Sequence, residues 1–247
     1  MEAAPAPRFS LVVPAHNEES YLPRLLDTVE VASARCRVGA VEVVVADDGS
    51  TDATAAIAEQ RGCRVVRLTA RRIAAARNAG AAIAAGEILC FADADMRVHP
   101  ETFNAVDDML GSGRIVGGAT GVTLERWSLG LAVTYALMVP WVWLLRMDTG
   151  VVFCRADDFR AVGGFDERRS FGEDVQFLVD LRRLGRRRGQ RLGRARRAKA
   201  IASTRKFDRY GDWHYFPLVL RLLGPMLRSP ATRCELVEDY WYHDPSR

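Results

Sequence analysis

Glu87-Ile88-Leu89-Cys90-Phe91-Ala92-Asp93-Ala94-Asp95-Met96 is an apolar run of strand type that stops abruptly in two carboxylates one small residue apart. Along a strand, residues i and i+2 point the same way, so Asp93 and Asp95 are expected to converge just past the strand end. Two hard oxygen donors with few other ligands nearby suit Mg²⁺ or Mn²⁺, which keeps waters and phosphates in its shell. Open α/β sheets bind ligands at the carboxyl ends of their strands, so the location fits as well. The competing reading is a turn or helix start with solvated carboxylates. The rest of the chain decides between them.

Working outward, Phe9 to Val13 reads as a first strand stopped by Pro14, followed by a helical pattern from Tyr21 to about Arg35. Val41 to Val45 is a continuous β-branched run, as in a strand covered on both faces. It ends in Asp47-Asp48-Gly49-Ser50-Thr51-Asp52, where Ser50 or Thr51 is expected to cap the Ala-rich helix that follows. Arg64 to Arg67 is a third strand, and Ile73 to Ala85 a helix ended by Gly86. Strands alternating with helices predict a doubly wound, mostly parallel sheet in a single domain. The turn after the first strand, Pro14-Ala15-His16-Asn17-Glu18, holds no glycine, so the dinucleotide-binding fingerprint is missing.

The 247 residues suffice for one large α/β domain, with the apolar content of a globular protein. The Ala/Pro-rich start does not resemble a signal peptide. Five cysteines (36, 63, 90, 154, 234), odd in number and without metal spacing, point to reduced thiols in a cytoplasmic setting.

Val13-Pro14-Ala15-His16-Asn17-Glu18-Glu19, Asp47 to Asp52, Ala75-Ala76-Arg77-Asn78-Ala79-Gly80 and Asp93-Ala94-Asp95 resemble the ordered motifs of family 2 glycosyltransferases. Gly163-Gly164-Phe165-Asp166-Glu167 and Gly172-Glu173-Asp174-Val175-Gln176-Phe177 are similar to the same family's acceptor-half motifs, so the resemblance covers about residues 9–182. It implies a single Rossmann-like domain of the GT-A type, with a nucleotide-sugar half over about 9–98 and an acceptor half over about 99–247.

The implied activity is inverting transfer of one sugar from a UDP-, GDP- or dTDP-linked donor, with a divalent metal on the diphosphate. By resemblance, Asp95 ligates the metal, and Asp93 reaches the ribose or the metal through water. Pro14, Ala15, His16, Asn17 and Glu18 line the nucleoside, Asp47 pairs with its base, and Asp48 and Ala94 belong to the same site. Arg72 and Arg77 are candidates for the phosphates, because guanidinium forks suit phosphate oxygens; the bland alternative for Arg77 is a surface helix residue. Asp174, grouped with Glu173 at the start of an amphipathic helix, is the expected general base, although a carboxylate there also looks like an ordinary cap. His214 is a further candidate metal ligand, against the alternative of a structural histidine. Ser203 to Lys206 is expected to clamp the diphosphate by charge.

Two features lie outside those motifs. Leu129 to Leu145 is an uncharged run of 17 residues, too short and too central to span a membrane. It is expected to lie against a bilayer interface or a lipid-linked acceptor, at the inner face of the membrane, or else to be a buried helix or homodimer contact. Residues 182–199 hold ten Arg or Lys and no acid against a whole-chain charge of +4, which leaves −6 for the remainder. Glycines at 185, 189 and 193 interrupt that run and aromatic residues are missing from it, so a solvated surface is expected rather than a nucleic-acid site. The alternative function, a non-catalytic or phosphoryl-transfer protein binding anionic lipid or nucleic acid through the arginines, leaves Asp93, Asp95 and Asp174 without work.

Overall fold

The computed structural model describes residues 6–136, 150–169 and 172–213. Seven strands are described: β1 (Phe9–Ala15), β2 (Val41–Asp48), β3 (Arg64–Leu68), β4 (Ile88–Phe91), β5 (Ile115–Leu124), β6 (Val152–Arg155) and β7 (Arg191–Ala202). They form one sheet in the order β3-β2-β1-β4-β6-β5-β7, in which β6 runs antiparallel to both its neighbours and the other pairings are parallel. The helices with both ends among the described residues are α1 (Leu22–Ala34), α2 (Thr54–Gln60), α3 (Ile73–Ile83), α4 (Thr102–Gly111), α5 (Ala156–Val162), α6 (Glu173–Arg187) and the short α7 (Arg205–Tyr210).

Period-two alternation divides the core between the two faces of the sheet. Leu11, Val13, Ile88 and Cys90 pack with Leu22, Leu25, Phe103 and Val106 of α1 and α4. Val12, Val44, Leu89 and Phe91 face the other way, toward Ala74 of α3, Phe165, and Phe177, Leu178 and Leu181 of α6. Phe91 centres an aromatic cluster on that face, 5.0 Å from Phe165 and 6.2 Å from Phe177, whose rings stack on each other at 4.4 Å. The last turn of β4 and the start of α6 are thereby fixed to one another. After β3 the chain returns to the far side of β1, so the strand order reverses between β1 and β4, where open sheets form their ligand crevice.

Pro14 does not stop β1, which continues through Ala15. Val12 O accepts from Ala92 N, so the backbone groups of Val12 and, two residues on, Pro14 face the β4 side. The β1–β4 ladder has ended by then, at Val12 and Phe91, so the missing N–H of Pro14 costs no ladder bond. Strand β4 likewise ends at Phe91, which puts Asp93 and Asp95 in the turn beyond it rather than on the strand.

The arginine run is two elements: the end of α6 and the edge strand β7. Most of its charged side chains on β7 are exposed, as suits an edge that must not pair with another sheet. Gly185 is a packing contact rather than an interruption, since a Cβ there would lie 2.8 Å from Val116 Cγ1. Of the apolar run, residues 129–136 are helical and 137–145 lie outside the described residues.

Candidate functional site

The turns after β1 and β2 are laced together by short polar side chains. Asn17 N donates to Ser50 Oγ (2.9 Å), Thr51 N donates to Asn17 Oδ1 (2.8 Å), and Glu18 N donates to Thr54 Oγ1 (2.8 Å). Ser50 and Thr51 are thus spent on the first turn, and neither caps α2. The N-cap is Ala53, which has no side-chain cap bond, and Asp52 just before it accepts from the N–H of the first helical residue, Thr54, at 2.9 Å. Asp48 accepts the backbone N–H groups of Arg71 (2.8 Å) and Arg72 (2.7 Å), which closes the loop before α3 onto the end of β2. His16 Nδ1 lies 2.9 Å from Asp48 O, and buried Asp47 accepts from Ser50 N at 3.3 Å.

Two arginines organise the carboxylates. Arg77 is only 8% exposed; its Nη1 donates to Glu173 Oε1 (2.7 Å) and its Nη2 to Asp93 Oδ1 (2.9 Å). Its guanidinium carbon lies 5.2 Å from the centre of the Phe165 ring. Burial works against the Arg77 charge, but facing Asp93, Glu173 and Asp174 raise its pKa above the ordinary value. Arg205, from α7, makes a bidentate pair with buried Glu18 (2.7 Å to each oxygen), and its Nε is 3.0 Å from Asp95 Oδ2. Here too burial is outweighed, by the hydrogen bonds to Glu18 and the charge of Asp95.

Asp174 is half-buried in the first turn of α6, after Gly172 in the left-handed region (φ 67°). Its Oδ1 accepts from Val175 N at 2.7 Å.

Residues 14–18, Asp47, Asp48, Asp93, Ala94 and Asp95 therefore lie at or just beyond strand ends, Arg72 at the start of α3, and Glu173 and Asp174 at the start of α6, with Arg77 of α3 joining Asp93 to Glu173. Arg77 is no surface residue, and both its terminal nitrogens are held by carboxylates. Arg72 spends Nη1 on the carbonyl of Glu167 at 2.8 Å. Asp93 and Asp95 lie in the turn beyond β4, where the alternation of a strand no longer sets their directions, and they pair with different arginines, Arg77 and Arg205. His214 lies outside the described residues. Arg205 was visible in the sequence only within the Ser203–Lys206 segment expected to clamp the diphosphate, because its partner Glu18 lies 187 positions away. Among the described residues no three of His, Cys, Asp and Glu converge as a metal cage. Asp95 and Asp93 are hard oxygen donors of the kind Mg²⁺ and Mn²⁺ prefer, and each is ion-paired with an arginine, Arg205 and Arg77 respectively.

The sequence model of the family described as Glycosyl transferase family 2 matches residues 10–189. The chain belongs to that family.

Among curated relatives of this glycosyl transferase family 2 chain is the undecaprenyl-phosphate 4-deoxy-4-formamido-L-arabinose transferase of Pseudomonas paraeruginosa. It is 36% identical over 126 residues, covering 48% of this chain and 37% of the relative. The validoxylamine A glucosyltransferase of Streptomyces hygroscopicus subsp. jinggangensis is 27% identical over 225 residues, covering 72% and 52%. The chain thus spans about half or less of these relatives' length. Among solved structures, S. aureus TarS 1-349 in complex with UDP-GlcNAc superimposes with a TM-score of 0.63 at 21% identity, covering 80% of this chain and 58% of that one. The mannosyltransferase PcManGT from Pyrobaculum calidifontis, in complex with GDP-Man and Mn²⁺, gives 0.62 at 17% identity, covering 98% and 72%. The GT-A fold is shared with both.

Proposed function

We propose that the chain transfers one sugar from a nucleoside-diphosphate sugar to an acceptor hydroxyl or phosphate, in a single displacement that inverts the anomeric carbon. The observation that carries this reading is the meeting of Asp93 with the Glu173–Asp174 helix start, through Arg77, at the crevice where the strand order reverses. In this reading residues 9–98 form the donor half and the residues from 99 onward the acceptor half. The laced turns at residues 14–18 and 47–54 line the nucleoside.

With a hydroxyl acceptor, Asp174 accepts its proton as the acceptor oxygen bonds to the anomeric carbon, whereas a phosphate acceptor attacks already ionised. The bond from that carbon to the diphosphate breaks on the opposite face, which is the geometry of inversion. A divalent cation held by Asp95, with Asp93 beside it, would supply electrostatic stabilisation of the departing diphosphate. The UDP-GlcNAc and the GDP-Man with Mn²⁺ bound by the structural neighbours support a sugar-nucleotide donor and a metal.

For the acceptor, the undecaprenyl-phosphate transferase and a dolichyl-phosphate β-glucosyltransferase of Drosophila melanogaster support a lipid phosphate. The contact with the membrane is proposed as peripheral; among the described residues no helix is long and apolar enough to cross one. The test is calorimetric titration of UDP, GDP and dTDP, each with MnCl₂, MgCl₂ or EDTA. One diphosphate binding only with metal is the expected result; no binding with either metal overturns the reading.

A further inference from the structure

Arg77 and Asn78 are neighbours on α3, and each holds one end of the segment that carries the chain from α5 into α6. Asn78 takes the start of that segment. Its Oδ1 accepts from Phe165 N (2.9 Å), and its Nδ2 donates to Phe165 O (2.9 Å) and Glu167 Oε1 (2.8 Å). Gly164, at φ 72°, comes so close that a Cβ there would lie 2.7 Å from Asn78 Oδ1. Arg77 takes the far end, at Glu173, and with its other fork takes Asp93 beyond β4. Stacked Phe165 and Phe177 fill the space below, with the Arg77 guanidinium over the Phe165 ring.

With both terminal nitrogens on carboxylates and almost no exposed surface, Arg77 is poorly placed to be a donor ligand. We infer that Arg77 is a positioning residue. It locks the first turn of α6 against the turn after β4, and so sets the separation between the donor-side carboxylates and Asp174. The inference rests on the reading of Asp174 as the general base. A guanidinium is suited to the task because its planar fork reaches two carboxylates at once, whereas an ammonium is a point charge on a flexible stem.

The experiment compares wild type with Arg77→Lys, Arg77→Met and Asp174→Asn. It reads release of nucleoside diphosphate from UDP-glucose or GDP-mannose with MnCl₂ and water as acceptor, so no acceptor need be known. Diphosphate affinity is titrated in parallel, and folding is checked by melting. Arg77→Lys is expected to lower kcat at least about tenfold, a part of what a general base contributes, while the diphosphate Kd stays within about threefold. Arg77→Met should lose more; if it fails to fold, the lysine variant decides. A Kd weakened in proportion to the loss in kcat/KM, with kcat intact, would make Arg77 a donor ligand and overturn the inference. Unchanged kcat and Kd in folded Arg77→Lys would also overturn it. Asp174→Asn separates the two readings. If it retains turnover, the base assignment falls and the inference with it; if it is inactive while Arg77→Lys matches wild type, the inference alone falls.

Discussion

Asp95 faces a positive charge supplied by the chain itself. The Arg205 Nε lies 3.0 Å from its Oδ2, and the rest of that guanidinium is committed to Glu18. A divalent cation arriving at Asp95 meets like charge at close range, where Coulomb energies reach a few kcal/mol even with strong screening, about 4 kcal/mol for unit charges 4 Å apart. Arg205→Gln is therefore expected to tighten Mn²⁺ binding severalfold in the absence of nucleotide, read by titration with MnCl₂; equal affinity in the two proteins would show that the contact does not compete. Asp95→Ala should lose metal-dependent diphosphate binding altogether, and near-normal binding with metal would remove Asp95 from the ligand set. Residue by residue, the sequence was informative wherever a motif is local. Asp93-Ala94-Asp95 and Asp47-Asp48 lie at the ends of β4 and β2, and Glu173-Asp174 at the start of α6. Spacing says nothing about which distant cation meets which carboxylate. That left Arg205 and the burial of Arg77 to the structure, since both depend on how far apart two ends of the fold come to lie.

Among the elements, α2 depends on its first turn. Asp52 accepts from Thr54 N (2.9 Å) and Glu19 N (3.1 Å). Burial alone would raise its pKa, but these bonds and that of the Thr54 hydroxyl bring it below the ordinary 3.8. Asp52→Ala is expected to cost about 1 kcal/mol, typical of a lost intramolecular hydrogen bond. The sign with pH follows from the lowered value: the stabilisation is complete above about pH 4 and fades as pH falls through the folded-state pKa. Thermal melts of the two proteins should therefore differ at pH 7 and converge toward pH 3; a gap that persists in acid would assign the effect to packing. The element map read from sequence was sound for β1 to β4, which carry two or more consecutive apolar residues, mostly β-branched or aromatic, bounded by turns or charges. Strands β5 and β7 carried weaker signals. The first has three glycines in ten residues and the second four arginines and a lysine in twelve, compositions that disguise strands.

Over the whole molecule, the two-faced core sets which thiols solvent can reach. Cys90 and Cys154 are buried on opposite faces of adjacent strands β4 and β6, whereas Cys36 and Cys63 are half-buried; all four are free. Burial pushes the Cys90 and Cys154 thiols far up and raises that of Cys63 as well. Site-resolved alkylation of the native protein is expected to modify Cys36 first, Cys63 more slowly, and Cys90 and Cys154 only at the rate of global unfolding. Early modification of Cys154 would mean that the β6 seam opens locally.

That seam has a consequence for biosynthesis. Strand β6 is sixth in the chain but sits in the interior of the sheet, between β4 and β5. The first four strands can assemble while the ribosome is still translating, yet the outer edge of β4 stays unpaired until residue 155 has left the exit tunnel. During that interval the nascent protein carries an apolar open edge, the kind of surface that recruits chaperones or neighbouring chains. Premature termination between residues 92 and 151 should therefore yield fragments that aggregate, whereas a stop beyond β6 leaves that edge covered.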